Sequence, residues 1–169
     1  MPDGDVAIVR GGPERIADLE PLYASLYGQQ SAVAPVLAGM DSRPLDEAWA
    51  LRRARYQTWL LRSPGSFILI AERSGRPVGF AVVTPGDGYH GWNSGPQVAD
   101  LWDLAVLPAE RNRGIGSELM DAVEGSLAEK GVTEYRLRVL IANSDAIRFY
   151  ERRGMAPAFS VLIGRVRRR

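Results

Sequence analysis

The spacing of apolar residues along this 169-residue chain changes several times, and each change marks an expected element. Val6 to Arg10 reads as a short strand. Pro13 stands near the start of a helix predicted to run to about Tyr27, since proline suits a first helical turn. Gln29 to Pro44 is broken by Pro35, Gly39 and Pro44 and is expected to be irregular. Leu45 to Leu61 has helical spacing, with Leu45, Trp49, Tyr56, Trp59 and Leu60 on one side and arginines covering the rest. Ser63-Pro64-Gly65 ends it. The runs Phe67 to Ala71 and Val78 to Val83 flank Ser74-Gly75 and predict a hairpin. Pro85 to Gln97 is rich in glycine, carries Tyr89, His90, Trp92 and Asn93, and reads as a loop of the kind that contacts ligands.

Val98 to Val106 is the expected central strand. Gly116 to Lys130 follows as a helix with Leu119, Val123 and Leu127 on one face and Gly131 as its left-handed cap. Tyr135, Leu137, Val139 and Ile141 alternate with Arg136 and Arg138, which predicts a strand with one buried face. Asn143 or Ser144 caps a short helix through Arg152, Gly154 stops it, and Phe159 to Val166 is predicted as a final strand. The order β-α-α-β-β-β-α-β-α-β needs antiparallel hairpins and at least one parallel crossover, so the class is α/β with a mixed sheet.

Length and composition narrow the function. The chain suits one domain spanning 1–169, and 46% apolar with 24% charged residues is ordinary for a soluble protein. A net charge of +1 gives no general pull toward nucleic acid or membrane, and neither partner is expected. The absence of cysteine removes disulfides, a thiol nucleophile and thiolate metal sites, and fits a cytoplasmic location. With His90 as the single histidine, no metal centre is expected. No signal peptide or membrane span is read from the sequence. The basic residues Arg165-Val166-Arg167-Arg168-Arg169 are expected to be a solvated tail.

The candidate chemistry lies in Arg111-Asn112-Arg113-Gly114-Ile115-Gly116-Ser117, between the expected central strand and a helix. The first amides of a helix lack intrahelical acceptors and carry partial positive charge, and glycines let an anion come close. Arg111 and Arg113 add planar donors suited to a diphosphate. A P-loop would need lysine and then serine or threonine after the last glycine, where this chain has Ser117-Glu118. A dinucleotide fingerprint needs a third glycine, which is missing.

The run LAVLPAERNRGIGSELM, with Arg111, Gly114 and Gly116 filling [QR]-x-x-G-x-[GA], resembles the coenzyme A motif of the Gcn5-related N-acetyltransferase (GNAT) superfamily. A second signature, Asn143, Ala146, Phe149, Tyr150 and Gly154, resembles the family's N-x-x-A-x-x-[FY]-Y-x-x-x-G-F, with Met155 in place of the last phenylalanine. The resemblance implies a GNAT fold, with a mostly antiparallel mixed sheet of six to seven strands and about four helices. It implies acetyl-CoA as co-substrate and a primary amine as acceptor, in a direct ternary-complex reaction. The pyrophosphate would be held by Arg111 to Ser117. A bulge in the central strand would splay it from the next strand, and pantetheine would fill the gap along Leu104, Ala105 and Val106. Asn143 would bond the pantetheine arm or simply cap its helix. Ala146 and Phe149 belong to the same signature.

Tyr150 matches the family's general-acid position, against the plainer reading of a core aromatic. Asp100 and Asp103 are the candidate bases. Side chains alternate along a strand, so without a bulge the two would face opposite sides. Asp103 is preferred, because Asp-Leu-Ala-Val resembles the small-amine branch. Tyr27, Trp49, Tyr89, His90 and Trp92 are candidates to line the acceptor site, with core packing preferred for Trp49. A cationic acceptor would want Asp41, Asp46, Glu47 and Asp87 to converge. Homodimerisation through the final strand is expected by resemblance. Two alternatives stand beside acetyl transfer: an acyl-CoA-binding sensor on the same fold, and a transferase for a longer acyl group.

Overall fold

The computed structural model describes residues 5–33, 42–89, 94–95 and 97–164. Among these, five strands form one sheet in the order β1-β2-β3-β4-β5: β1 Val6–Gly11, β2 Phe67–Arg73, β3 Arg76–Asp87, β4 Gln97–Val106 and β5 Glu134–Leu137. The first four pair antiparallel as a meander, and β4 pairs β5 in parallel. The α helices are α1 Glu20–Ala32, α2 Leu45–Arg62, α3 Ile115–Ala128 and α4 Ser144–Arg152. Pro13–Leu19 is a 3-10 segment leading into α1.

The central strands are apolar on both faces because both faces are covered. Phe67 to Ala71 are all buried, as are Val78 to Val83. Such runs suit a sheet lying between helical layers. On one face α3 lays down Ile115, Leu119, Val123 and Leu127, an i, i+4 stripe, with Met120 beside it, against Leu69, Ala81 and Leu101. On the other face α1, α2 and the 3-10 segment bury Leu19, Leu22, Trp49 and Tyr56 against Ile70, Phe80 and Val82. The β2–β3 hairpin turns at Ser74-Gly75 with φ of +50° and +74°. That is the double left-handed geometry of a type I′ turn, whose twist matches the flanking strands.

Several sequence expectations need correction. The helix read from Pro13 to Tyr27 is instead a 3-10 segment followed by α1, and α1 continues through Ala32 into the stretch read as irregular. Pro85 to Asp87 belong to β3, not to the loop. The strand read over 135–141 is paired only at Glu134–Leu137. Residues 159–164 carry no strand, so the described sheet has five strands rather than six or seven. Their alternation fits a strand, but a strand also needs a partner edge in register. Leu45 is 45% exposed, because α2 meets the core only from Ala48 onward. Pro35, Gly39, Asp41, His90, Trp92, Asn93 and the basic tail lie outside the described residues.

Candidate active site

The site is built where β4 outruns β5. Pairing between them covers only Val98–Leu101 against Glu134–Leu137. Beyond it, Trp102 to Val106 face no strand on the β5 side among the described residues. At the same place β4 is bulged: Val82 opposes Asp103 and Val83 opposes Leu101, so Trp102 is the extra residue. An extra residue inverts the alternation that follows it. Leu101 and Leu104 therefore both pack toward α3. Asp100 and Asp103 lie on the same face, toward α1 and α2, and not on the opposite faces a regular strand would give them.

The phosphate-loop residues sit at the end of this unpaired edge. Gly114 is the N-cap of α3 at φ +88°, a conformation that excludes most side chains. Its carbonyl accepts from the amides of Ser117 and Glu118 at 2.8 and 3.0 Å. The amides of Ile115 and Gly116, earlier in the turn, have no acceptor within the helix. The Ile115 side chain is buried in the α3 core, so the helix end is firmly anchored. A Cβ on Gly116 would lie 3.6 Å from the ring of Phe149 and 4.0 Å from Val106, so β4, α3 and α4 meet here. Arg111 is turned inward. Its Nε donates to the Val106 carbonyl at 3.0 Å and its Nη2 to Gln29 Oε1 at 2.9 Å. Arg113 lies 3.7 Å from Glu110 and is 45% exposed. Asn112, at φ +62°, completes the turn.

Asn143 caps α4, its Oδ1 accepting from the Ala146 amide at 3.2 Å. One turn later Phe149 and Tyr150 pack on the α3-side core together with Leu104 and Val106. The Tyr150 phenol is pushed up to about 12, first by burial and then by the charge of Asp103.

Asp103 is 4% exposed. Its Oδ2 accepts from Tyr56 at 2.6 Å and lies 3.3 Å from Arg52 Nη1. Burial raises its carboxyl above the usual range, while Arg52 and then Tyr56 pull it back. The Tyr56 phenol is raised well above its usual value, first by burial and then by the Asp103 charge. Asp100 is held differently. Arg136, beside it in the β4–β5 register, donates to its two oxygens at 2.7 and 3.2 Å. Arg136 also stacks over Tyr89 at 5.1 Å.

Residues 35–155 match the model of the acetyltransferase (GNAT) family. The chain belongs to this family. It is 33% identical over 110 residues to L-2,4-diaminobutyric acid acetyltransferase of Nocardia farcinica, covering 65% of this chain and 52% of that one. It is 32% identical over 117 residues to mycothiol acetyltransferase of Thermobispora bispora, covering 66% and 37%. The chain thus spans about half the length, or less, of these relatives. Among solved structures, aminoglycoside N-acetyltransferase AAC(6')-Iy in complex with CoA superposes with a TM-score of 0.70 at 21% identity, covering 99% of both chains. A GCN5-related N-acetyltransferase from Ralstonia eutropha superposes with a TM-score of 0.75 at 18% identity, covering 95% and 98%. At such identities the likeness is one of fold.

In this GNAT chain the cluster around Asp103 was only half visible in the sequence. Arg52 does not belong to the arginine-covered side of α2. It stands within the stripe Trp49, Arg52, Tyr56, Trp59, at spacings of three, four and three, and a charge in such a stripe signals a buried partner. Trp49 is core, as preferred, and Tyr27 is tied to the Arg43 carbonyl at 2.8 Å. Asp46 and Glu47 stand in the first turn of α2, and Asp87 ends β3. The first two begin α2, roughly 20 Å of helix from Trp59 at its other end, which neighbours β4.

Proposed function

We propose that this chain transfers an acetyl group from acetyl-CoA to a primary amine within one ternary complex. The observation that carries the reading is the unpaired edge of β4 from Trp102 to Val106, ending at the open amides of α3. A polar main-chain edge beside an anion-binding turn suits an extended amide chain that ends in a diphosphate. In this reading Gly114, Ile115 and Gly116 hold the pyrophosphate through main-chain N–H groups. Arg113 screens it, and Arg111 fixes the turn against Val106. The main chain of Leu104 to Val106 aligns pantetheine, and one N–H there faces the thioester oxygen. A preorganised donor of that kind is worth about 3 kcal/mol as charge develops. Asn143, besides capping α4, lies where the pantetheine arm would pass.

The amine nitrogen attacks the thioester carbonyl, the C–S bond breaks, and the ammonium product loses a proton. In this reading Asp103, whose carboxyl is raised by burial, receives that proton. With 4% of its surface exposed it does so through a water. Asp100 is committed to Arg136 and positions that arginine. Tyr150, a phenol that stays protonated at neutral pH, donates a hydrogen bond to the departing sulfur. Complete transfer from a phenol near 12 to a thiolate whose acid lies near 8.5 would be uphill by roughly 5 kcal/mol. Tyr150 thus acts chiefly by stabilising the charge.

The reading is supported by the family and by relatives named L-2,4-diaminobutyric acid acetyltransferase and mycothiol acetyltransferase. The experiment is thiol release from acetyl-CoA against a panel of primary amines, with CoA binding by calorimetry on the same sample. CoA binding with turnover of an amine is expected. Binding without turnover would favour a sensor, and no binding would overturn the cofactor reading. We also propose a homodimer, on the exposure of Phe159, Val161, Leu162 and Ile163 at 63%, 76%, 92% and 55%. A monomeric mass by light scattering would refute it.

A further inference from the structure

Arg111 is the one residue of the diphosphate turn whose side chain reaches across to α1. Its Nε donates to the Val106 carbonyl at 3.0 Å, and its Nη2 donates to Gln29 Oε1 at 2.9 Å, 82 residues away in sequence. Two of its donors are thus spent on the protein rather than turned to a diphosphate. The Val106 carbonyl has a defined direction. The amide of the next residue, Leu107, donates to the Val78 carbonyl on the β3 side at 2.8 Å. Along a strand the carbonyl of one residue and the amide of the next point to opposite sides. The Val106 carbonyl therefore points to the edge of β4 that no described strand pairs, and Arg111 covers it where that edge ends.

The other acceptor stands on a lightly packed helix end. Leu22, Tyr23, Leu26 and Tyr27 of α1 pack in the apolar cluster that includes Ala105. Beyond Tyr27 no residue of α1 joins an apolar cluster among the described residues, and Ser31 and Ala32 are exposed. Gly28 precedes Gln29, and a Cβ there would meet nothing within 4 Å, so no close packing calls for glycine. Glycine inside a helix weakens it relative to alanine. The bond from Arg111 thus joins the turn before α3 to the weakest part of α1. Further up the same helix, Arg52, the partner of Asp103, lies over the Tyr23 ring at 5.7 Å.

We propose that Gln29 is a positioning residue for coenzyme A: it holds Arg111 on the Val106 carbonyl and so sets the diphosphate turn, and a bound diphosphate in return orders the last turn of α1. The proposal rests on the cofactor reading and adds to it a residue that lies outside both signatures. The physical reason is linkage. A ligand stabilises the shape it binds, and a side chain bonded to that shape shares the stabilisation by the same factor with which it helps the ligand.

Calorimetry of CoA with the parent, Q29L, R111L and Q29L/R111L tests the first half. Q29L is expected to weaken CoA about tenfold, as for one charge-assisted hydrogen bond. Q29L/R111L should bind within about twofold of R111L, because the two side chains act as one unit. Hydrogen exchange tests the second half. Saturating CoA should slow the amides of Gln30 to Val33 about tenfold in the parent, by reciprocity, and leave them unchanged in Q29L, while the first turn of α3 slows in both. A merely structural Gln29 would lower the Tm of Q29L and leave CoA affinity within about twofold of the parent, which would overturn the assignment. So would additive losses in the double variant, or an α1 end that exchanges equally with and without CoA. If Q29L does not fold, exchange in the parent decides alone. A parent that binds no CoA is a separate failure, because it removes the cofactor reading and this assignment with it.

Discussion

Replacing Arg52 with methionine probes the most heavily buried charge in the site. The Asp103 side chain is 2% exposed, and its oxygen has two partners, the Tyr56 hydroxyl at 2.6 Å and Arg52 Nη1 at 3.3 Å. Removing Arg52 leaves a desolvated carboxylate with one neutral donor, and breaking a buried pair in this way costs about 3–5 kcal/mol. The carboxylate has one escape, which is to take up a proton. At pH 7 that costs about 1.4 kcal/mol for each unit above an unfolded pKa near 3.9, or about 4 kcal/mol. The two routes agree. Arg52 is 24% exposed and so partly screened, which places the expected loss near the lower end, about 3 kcal/mol. For a domain of this size that is a fall in Tm of about 6–12 °C.

The sign with pH is distinctive. Asp103 already has a raised carboxyl, and losing Arg52 raises it further. A raised acid contributes its stability below the unfolded pKa and loses it as pH climbs through the folded value. The deficit of R52M relative to the parent should therefore shrink on acidification. At pH 5, protonation costs only about 1.5 kcal/mol, and the deficit should approach that figure. Urea unfolding of parent, R52M and R52M/D103N at pH 7 and pH 5 measures it. The double variant should recover at least half of the loss at pH 7. A deficit below about 1 kcal/mol, or one equal at both pH values, would show that Asp103 does not depend on Arg52.

Three further variants test other parts of the molecule. Gly114→Asp puts a side chain at φ +88° and a negative charge at the α3 amides; CoA affinity by calorimetry should fall at least about 100-fold, and unchanged affinity would remove the pyrophosphate site from this turn. Tyr150→Phe should lower kcat by about 100-fold with CoA affinity within a factor of about two, and turnover at the parent rate would exclude it from the reaction. Because Tyr150 lies at about 12, the parent's kcat should show no alkaline decline up to about pH 10; a descending limb below that would contradict the shift. Leu119→Ala, at a side chain with 0% exposure in the α3 core, should cost about 2–5 kcal/mol in denaturant unfolding, and a loss under about 1 kcal/mol would mean that α3 is not the cover of that face.

What the sequence determined by itself is the chemistry that contiguous residues settle among themselves. The turn at Gly114, the cap at Asn143, the Ser74-Gly75 hairpin and the stripe of α3 each depend on φ, ψ and periodicity within one or two turns of chain. The resemblance to two family signatures singled out Gly116, Asn143, Phe149 and Tyr150, and it was legible because both signatures are local. The tertiary structure decided everything that depends on which distant element lies alongside. The resemblance implied a bulge in the central strand, but its place at Trp102 is a mismatch of register between β3 and β4, and that place turns Asp100 and Asp103 to one face. Arg52 and Tyr56 reach Asp103 from α2 across roughly fifty residues, so pattern alone could show a charge in an apolar stripe but not its partner. Phe159 to Ile163 have the alternation of a strand and form none in the described chain. Alternation states only that a segment can pair, whereas a strand exists where another chain segment offers its edge.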